Sequence, residues 1–547
     1  MHDDEQIGRL YDLNKDVLSG QLPPRLAQDL GFGFDYPLFS FYPSLVYYIG
    51  EIFHLAGFSF ITSTKLMLGL GFVLSAFFMY LFSKEYVGRI GGIVAAIAYS
   101  YTPYHSVDIY VRGAFPEFWS FVFVPALFWS VYRLTITGKN KYIIVSGIFT
   151  ALLILSHDLM AMMSSFFLGA FFIYLIFQSK NKKVLFGKIC LSVVLGLALC
   201  AFFWLPQYFE KQYTMVQLLT EQSADYHQHF VCIKNFLDSP WGYGGSIPNC
   251  ESGLSFQVGQ SQLIFAAISI VVSLFLLWKR KQKTSSYIII FLFILMFFFS
   301  LFIQTKYSVF IWDRLQPFAY IQFPWRFLTF SDFTISFLIG YVFLFIKKDK
   351  IKIIVAAIMI GVLIFMNKNF FVPETYLTNV TDISYTAPSV MHWKTSMMSF
   401  EYTPKGIATK LASDGDSVID ITQKQVPKQS YAVLGGKMSV IQLQDIPQEK
   451  NFLVTVSKPG LFRLNTFSFP GWKVFVDNNE VAYSANNKLK LITVALSKGQ
   501  HTVRATFTDT PLRTAGNWIT LLSVIGVIIF ALGKINIAKP KKLATKK

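Results

Sequence analysis

The chain has 547 residues, of which 53% are hydrophobic, 17% are aromatic and only 15% are charged. A soluble globular protein has about 25% charged residues, so the composition excludes an ordinary soluble enzyme and favours a polytopic membrane protein. The formal net charge is +18. A basic balance indicates a partner only once its position along the chain is known.

Residues 1–60 begin with an acidic cluster that contains Asp3 and Asp4. The next segment, LYDLNKDVLSG, predicts a short helix that ends at its glycine. The aromatic segment DYPLFSFYPSLVYYIGEIF is interrupted by Pro37 and Pro43. This favours one or two interfacial helices on the outer membrane surface, with a further membrane span as the alternative. We interpret residues 1–60 as a first external loop with interfacial helices.

Eleven apolar segments have, or approach, the roughly 20 residues that cross a bilayer. They lie at residues 62–82, 90–102, 117–135, 142–156, 160–178, 189–206, 261–279, 287–304, 324–346, 351–367 and 516–534. The second and fourth are short, so these helices could be tilted or kinked, or their bounds could be wrong. The pattern predicts a transmembrane helical domain at 61–367, and a last transmembrane helix with a basic tail at 514–547.

Basic residues collect in alternate gaps between these segments. They lie in the sequences RLTITGKNKY, SKNKKVLFGK, KRKQK (279–283), KKDKIK (347–352) and the C-terminal tail. The intervening gaps balance acids against bases, as in the loop at 207–260. Because this is the positive-inside pattern, the charge indicates topology, and no nucleic-acid partner is expected. The C-terminus is predicted to be cytoplasmic, with 207–260 and 368–513 outside.

Counting back through eleven spans places Met1 outside the membrane. An acidic N-terminus does not easily cross a membrane without a hydrophobic signal or anchor ahead of it. We therefore expect that an upstream first helix is missing from this sequence, and that twelve spans with both ends inside form the complete protein.

Residues 368–513 are less hydrophobic, and short alternating runs such as WKVFV and HTVRATF appear between turn sequences such as SKPG and DNNE. This pattern is typical of strands joined by tight turns. It predicts an external β-rich domain, with a small sandwich as the expected form. Trp472, Val474 and Val476 should alternate onto one face.

The chain has four cysteines. Cys232 and Cys250 lie in the external loop, so a disulfide between them is expected in an oxidising compartment, with two free thiols as the alternative. Cys190 and Cys200 lie within a predicted span and are expected to be packed thiols.

Several charged residues lie next to spans on the predicted outer side. They are Asp108, Arg112, Glu117, His157, Asp158 and Arg326. Each has an ordinary explanation as a solvated loop residue, a helix cap, a local ion pair or a snorkelling arginine. Their position on one side of the membrane instead favours a cavity at the outer leaflet that collects acids and arginines.

No motif of a soluble enzyme competes with this interpretation, because the chain has no Walker loop, no HExxH and no GxSxG sequence. The sequence HQH at 227–229 is a weak metal-binding pair, since no third ligand follows at a suitable spacing. The metal ligands therefore remain unassigned.

Several motifs resemble a known group of bacterial membrane proteins. They are HDDEQIGRLYDLNKDVLSGQLPPR, GFGFDYPLFSFYPSLVYYIGE, VDIYVRGAFPEFW, SPWGYGGS and IQFPWRFL. The chain is similar to 6-pyruvoyl-tetrahydropterin-synthase-related membrane proteins, and its sequences FPGWKVFVDNNEV and TPLRTAGNWITLLS resemble the end of YfhO-type membrane proteins. Both groups are similar in layout to GT-C glycosyltransferases. The zinc-binding histidine triad of the soluble pterin enzyme is not visible in the sequence.

The resemblance implies a polytopic α-helical fold of GT-C type with a C-terminal external β domain in a bacterial cytoplasmic membrane. It implies transfer of a sugar from a polyprenyl-phosphate donor to a cell-envelope acceptor. Asp3 or Asp4 would be the catalytic carboxylate, as a base or as a ligand of a divalent cation.

Positive charge from Arg112 or Arg326 would stabilise the leaving phosphate. Of the two carboxylates we favour Asp4, because it lies one turn from Gly8, where a small residue allows close approach. The alternatives are a non-catalytic scaffold or polymer-binding envelope protein and, less favoured because few charges lie within spans, a transporter.

Overall fold

The computed structural model describes residues 2–246, 250, 253–279, 284–412 and 415–533. The predicted basic cytoplasmic segments at 280–283 and 534–547 lie outside the described residues.

The helices follow the hydropathy pattern, because each predicted span coincides with one or more of them. They are Phe60–Ser100, Phe115–Thr137, Lys141–Ser156, Asp158–Gln178, Lys182–Leu199, Ala201–Glu210, Gln260–Lys279, Thr284–Phe302, Leu328–Gly340, Asp349–Asn367 and Pro511–Ala531. Within the described ranges, six helices are long and apolar enough to cross a membrane, or eight if two bent pairs each count as one span. The polytopic helical architecture is confirmed, and the predicted count of eleven spans exceeds the number that meets this test.

The count differs because some apolar segments do not form separate straight helices. The predicted spans at 62–82 and 90–102 belong to one helix of 41 residues, Phe60–Ser100, which is interrupted at Gly88 with φ +76°. The segment at 189–206 bends by 74° within the helix pair that ends at Tyr213. A second pair bends by 94° before Lys306. The helix that follows the first bend and the turn that follows the second bent pair both line the candidate site described below.

The first sixty residues contain two helices, Gln6–Leu18 and Leu45–Leu55. The second has 11 residues and is therefore about 16 Å long, whereas the hydrocarbon core of a bilayer is about 30 Å thick. It is too short to span, which removes the alternative of a further membrane helix in this segment.

In its described residues, the β domain has ten strands in antiparallel sheets. They are β1 Thr409–Leu411, β2 Ser417–Ile419, β3 Tyr431–Leu434, β4 Lys437–Ile446, β5 Glu449–Lys458, β6 Gly460–Phe467, β7 Trp472–Val476, β8 Asn479–Val481, β9 Leu491–Leu496 and β10 Gly499–Phe507. One sheet has the order β4-β5-β10-β7-β8, a second has the order β3-β6-β9, and β1 pairs with β2.

The two larger sheets face each other across an apolar core. Trp472 and Val474 of β7 are buried while Lys473 between them is exposed, as the alternating pattern predicts. Phe452 of β5 meets Phe462 of β6 with ring centroids 5.3 Å apart, which joins the two sheets. The β domain is therefore a small sandwich.

The first strand begins at Thr409, and residues 368–408 of the predicted β-rich region contain short helices. The turns at Ile383–Thr386 and Val390–Thr395 pack against the N-terminal segment. This part of the chain is a connector between the last helix of the main bundle and the first strand. Its sequence lacks the period-two alternation of a strand.

The N-terminal segment is fixed between the helices and the β domain. Asp35 pairs with Lys450 at 3.1 Å and accepts a hydrogen bond of 2.6 Å from Thr466 Oγ1. The backbone N–H of Phe467 donates to the carbonyl of Phe34 at 2.8 Å. These contacts hold the segment against the β domain.

Candidate functional site

A cavity of about 1080 Å³ lies where the N-terminal segment, several helix ends and residues 398–402 meet. Five of the predicted site residues line it: Asp3, Arg112, His157, Asp158 and Arg326. The described lining also contains many aromatic and polar side chains, as is typical of a binding site for an organic ligand. Asp108, Glu117 and Asp4 are not part of the lining.

Two buried arginines form one wall of the cavity. Arg112 Nη1 lies 2.7 Å from a carboxylate oxygen of Glu117, and Arg326 Nε lies 3.0 Å from the same oxygen. Arg112 also pairs with Asp108 at 2.5 Å. Asp108 and Glu117 are completely buried, so they lie behind the arginines and hold them. They are support for the cationic wall and do not contact the cavity.

Local backbone features explain how the arginines reach this position. Arg112 ends a π-helical turn, Val107–Arg112, and Gly113 with φ +71° allows the chain to reverse before the next helix begins. Arg326 lies in a 3₁₀ turn, Pro324–Phe327, and its Nη1 donates to the carbonyl of Ile321 at 2.8 Å. These fixed turns hold each guanidinium at the cavity wall.

Asp3 lies beside Arg112. Its backbone N–H donates to the carbonyl of Arg112 at 2.8 Å, and the N–H of His2 donates to the carbonyl of Val111 at 2.9 Å. The chain start is thus paired with the π-helical turn, and this pairing holds the Asp3 carboxylate in the cavity lining.

Asp4 points elsewhere. Its carboxylate is 40% exposed and forms an ion pair with Lys394 at 3.1 Å, outside the described cavity lining. Gly8 does allow a close approach, but the neighbour that uses it is Met391, whose sulfur would lie 2.7 Å from an added Cβ. The small residue at Gly8 therefore serves internal packing and gives no reason to prefer Asp4. Asp3 is the better candidate, because it lines the cavity and Asp4 does not.

Two further carboxylates line the cavity on the N-terminal side, Glu5 and Glu401. Glu5 pairs with Arg9 at 3.0 Å, and Arg9 also donates to Ser399 Oγ at 3.0 Å. Burial raises the pKa of Glu5 to about 7, and burial also raises the pKa of Glu401. This wall therefore contains one carboxyl group, that of Glu5, that can hold a proton near neutral pH.

His157 and Asp158 occupy the start of one helix. The ring of His157 accepts a hydrogen bond from the N–H of Met160 at 3.4 Å, which caps the helix. Asp158 accepts a hydrogen bond of 2.6 Å from Gln207 Nε2. The helix-capping explanation therefore applies to His157, and both residues also line the cavity.

One side of the cavity is bounded by the helix after the first bend and by the turn that follows the second bent pair. Lys211 follows the first bend, and its Nζ lies 5.2 Å from the ring of Tyr208 and 4.9 Å from the ring of Tyr320. All three residues line the cavity, and Tyr208 is 62% exposed. A cation between two aromatic rings thus marks the edge at which the cavity meets the apolar exterior of the helices.

The residues present do not fit a preformed divalent-cation site. Among the described residues, no three histidine, cysteine or carboxylate side chains are arranged to hold a metal ion. The HQH histidines have other partners: His227 pairs with Asp225 and Asp313, and His229 lies 2.7 Å from Ser246 Oγ. Burial lowers the pKa of His229.

Cys232 and Cys250 form a disulfide with their Cα atoms 5.5 Å apart. The bridge closes the loop that carries Tyr243, whose carbonyl lies 2.8 Å from the ring nitrogen of His2. The predicted pair is therefore bonded, and its loop contacts the chain start beside the cavity. Cys200 is buried, as expected of a packed thiol, whereas Cys190 is exposed on its helix.

Sequence reasoning missed several cavity residues. Arg9 and Glu5 had a usable signal, since residues four apart on a helix lie on the same face. Glu401 had none, because it lies almost 400 residues from the acids it joins and precedes the strands of the β domain. Lys211 lies in the charge-balanced loop at 207–260, where no sequence pattern distinguishes it from the other charged residues.

The fold and the cavity define a polytopic membrane protein with a β-sandwich domain next to a charged cavity. The chain belongs to the family described as "6-pyruvoyl-tetrahydropterin synthase related domain; membrane protein", whose family model matches residues 39–371. No curated protein sequence matches the chain significantly.

A search of solved structures finds the oligosaccharyltransferase of Archaeoglobus fulgidus in its apo form, with 11% sequence identity and a TM-score of 0.34. The match covers 73% of this chain and 53% of the other, so the chain spans about half the length of that structure. A likeness this distant supports no statement about fold or function.

Proposed function

We propose that this protein is a membrane glycosyltransferase of GT-C type that moves a sugar from a polyprenyl-phosphate donor to a hydroxyl group of a cell-envelope acceptor. The observation that carries the proposal is the meeting of one cavity carboxylate, Asp3, with two buried arginines, Arg112 and Arg326, at helix ends. Asp3 and Arg326 are more than 300 residues apart in sequence, so their meeting is a property of the fold.

The residues suit a single displacement. The acceptor oxygen attacks the anomeric carbon of the sugar, its proton passes to the Asp3 carboxylate, and the bond from that carbon to the phosphate oxygen breaks. The bonding electrons leave with the phosphate, whose developing charge Arg112 and Arg326 would stabilise. Because phosphate is a good leaving group, no strong general acid is needed. The product should have inverted anomeric configuration.

The geometry of the wall also favours a phosphate ligand. Glu117 bonds both arginines through one carboxylate oxygen, so it fixes their positions without enclosing them. A guanidinium presents five donors, and the donors that face the cavity remain available to a phosphate. The edge marked by Lys211, Tyr208 and Tyr320 offers the lipid tail a path toward the apolar exterior.

The proposed orientation places the cavity and the β domain outside a bacterial cytoplasmic membrane, with the C-terminus inside. It rests on the segregation of basic residues along the chain. Single cysteines introduced at Lys182 and Lys437 test it in intact cells. A membrane-impermeant thiol reagent should label position 437 and not 182, and labelling at 182 would overturn the orientation.

The second candidate is a non-catalytic scaffold or polymer-binding envelope protein, whose β domain binds wall polymer. The buried cavity carboxylates disfavour it, because a scaffold has no use for acids held next to arginines inside a large cavity. A polymer-binding role for another surface is compatible with catalysis and is developed below.

The test is sugar transfer by the purified full chain in proteoliposomes. A panel of polyprenyl-phosphate sugars, with different sugars on the same lipid, is offered together with an envelope extract as acceptor. The proposal expects consumption of at least one donor and release of polyprenyl phosphate, both abolished in an Arg112→Gln, Arg326→Gln double variant. A wild-type chain that binds and consumes no donor would favour the scaffold.

A further inference from the structure

A second pocket lies on the outside of the protein, next to the cavity but separate from it. Its volume is about 550 Å³, which is within the range of small-ligand pockets. It is lined by the turn after the first bent helix, by residues that precede the first strand, and by loops of the β sandwich. None of its described lining residues belongs to the lining of the larger cavity.

A short backbone pairing separates the two sites. The N–H of Met215 donates to the carbonyl of Thr403 at 3.0 Å, and the N–H of Lys405 donates to the carbonyl of Tyr213 at 2.8 Å. On one side of this pairing, Lys211 and Tyr402 face the cavity. Residues directly after them in the chain line the outer pocket instead.

The charge of the outer pocket is positive. Lys405 and Lys490 line it, and its described lining contains no Asp or Glu. Among the described residues, neither lysine has a carboxylate partner within 4.0 Å. By contrast, the nearby Lys410 and Lys488 both pair with Asp420. The two pocket lysines are therefore available to an external anion.

The backbone at Lys490 is strained and well supported. Its φ is +56°, a left-handed conformation that is uncommon for lysine. The N–H of Lys490 donates to the carbonyl of Asn487 at 3.1 Å, and its own carbonyl accepts from the N–H of Ser468 at 2.8 Å. Asn487 Oδ1 also accepts from the N–H of Leu491 at 2.9 Å. The loop thus holds one lysine at the pocket in an otherwise unfavourable conformation.

The remaining lining suits a sugar ring. Tyr213 is 46% exposed, and Tyr483 also lines the pocket. An aromatic face packs against the C–H groups of a sugar, while the tyrosine hydroxyl and the amides of Gln212 and Asn486 can bond its hydroxyl groups. Aromatic, amide and ammonium groups together match a saccharide that carries negative charge.

We infer that the outer pocket binds an acidic saccharide unit of an envelope polymer, whose negative charge is a carboxylate or a phosphate. Lys405 and Lys490 would pair with the anionic group, and Tyr213 would pack against the sugar ring. The site lies outside the transfer cavity and its binding requires no lipid donor. A polymer held here would lie one backbone pairing away from the cavity, a position from which a neighbouring unit could serve as the acceptor if the proposed function holds.

The test is direct binding of short oligosaccharides to the full chain in lipid nanodiscs, without donor. Three probes of equal length are compared: a uronic-acid oligomer, a sugar-phosphate oligomer and a neutral glucose oligomer. The wild type should bind at least one acidic probe at least tenfold more tightly than the neutral probe, and the stronger acidic probe identifies the anion.

Variants locate the site. The double change Lys405→Gln, Lys490→Gln should weaken the acidic probe about tenfold or more, and Tyr213→Ala should weaken it severalfold. Lys437→Gln, an exposed lysine at the start of β4, is the control for general attraction to basic protein and should have no effect. Thermal unfolding checks that every variant is folded.

Equal binding of the acidic and neutral probes, or an equal loss with Lys437→Gln, would overturn the inference. A folded Lys405→Gln, Lys490→Gln variant with wild-type affinity would also overturn it. Because no donor is present, failure of the glycosyltransferase proposal leaves this measurement unaffected. If the Lys405→Gln, Lys490→Gln variant loses oligosaccharide binding but still consumes donor at the wild-type rate, the pocket and the cavity are separate sites.

Discussion

Two buried networks of charged residues in this protein use similar groups but differ in what they enclose. At the β domain, Lys450 is 2% exposed and lies between Asp35 and Asp445, and the second oxygen of Asp35 accepts from Thr466. At the cavity, Arg112 and Arg326 share Glu117 and also line a space of about 1080 Å³.

The difference separates an anchor from a site. The Lys450 network is closed on protein groups and fixes the N-terminal segment to the sandwich. The arginine network is closed on the protein side only, since Glu117 and Asp108 support it from behind. Buried charges that are fully paired indicate structure, whereas buried charges that line a cavity indicate a ligand.

The largest expected effect is on catalysis. Replacing Asp3 with Asn preserves shape but removes the proposed base, so the proposed sugar transfer should slow by about 10²- to 10⁴-fold. The matched control is Asp4→Asn, which removes a 40%-exposed partner of Lys394 and should leave the rate within about threefold of wild type. Full transfer by Asp3→Asn would exclude Asp3 as the base. A large loss of rate with Asp4→Asn alone would support Asp4, the residue that the sequence analysis favours.

Loss of its cation should affect stability in the Lys450 network and donor binding in the arginine network. Lys450→Met leaves Asp35 buried without its partner and should lower the free energy of unfolding by about 3–5 kcal/mol. Arg326→Gln should instead weaken donor binding about 10- to 100-fold, because hydrogen bonds to charged groups contribute about 1.5–3 kcal/mol. Urea unfolding and donor titration on both variants check this. Equal effects of the two variants in both measurements would remove the distinction.

The disulfide provides a covalent constraint on the cavity side. Cys232 and Cys250 are 18 positions apart, so the bridge should stabilise the loop by about 3 kcal/mol. In a Cys232→Ser, Cys250→Ser variant, amides of this loop should exchange faster while those of the β sandwich keep their protection. Hydrogen exchange read by mass spectrometry measures both regions. Unchanged exchange in the loop would show that it is held without the bridge.

The smallest effect concerns pH. Burial raises the pKa of Glu5 from its ordinary 4.5 to about 7, so between these values the folded chain holds a proton that the unfolded chain has released. Stability contributed by this group therefore falls as pH rises through that window, by roughly 1–3 kcal/mol. Asp35, whose pKa burial raises to about 6, acts in the same direction.

In the variant Glu5→Gln, the unfolding free energy should therefore fall less steeply between about pH 4.5 and 7 than in the wild type. Some of the fall should remain, because Asp35 still contributes to it. Urea unfolding at several pH values measures the slope. A slope identical to wild type would show that Glu5 is not protonated in the folded state at these pH values.

The sequence predicted the apolar helices and the β-rich C-terminal region, because helices and strands both depend on local periodicity. It could not show that Phe60–Ser100 is one helix broken at Gly88, since a glycine between two apolar runs is equally consistent with a loop. The 74° bend of the helix pair that reaches the cavity was also missed, because apolar residues continue through it.

The candidate site was predicted only in part, because some of its residues are visible at the ends of spans and others are brought together by the fold. Arg112 and Arg326 were identifiable as charges at the ends of spans, and both line the cavity. The choice between Asp3 and Asp4 depended on the pairing of His2 and Asp3 with residues 111–112, which no local pattern contains. Glu401 reaches the cavity only through the connector that precedes the β sandwich.

The central claim is that Asp3, Arg112 and Arg326 surround the reacting end of a lipid-linked sugar phosphate. A cryo-electron microscopy structure of the full chain in nanodiscs with a phosphonate analogue of a polyprenyl-phosphate sugar tests it most directly. We expect the phosphonate within hydrogen-bond distance of both guanidinium groups, the anomeric carbon facing Asp3, and the lipid leaving past Lys211. An analogue bound elsewhere, with the cavity empty at saturating concentration, would contradict the claim.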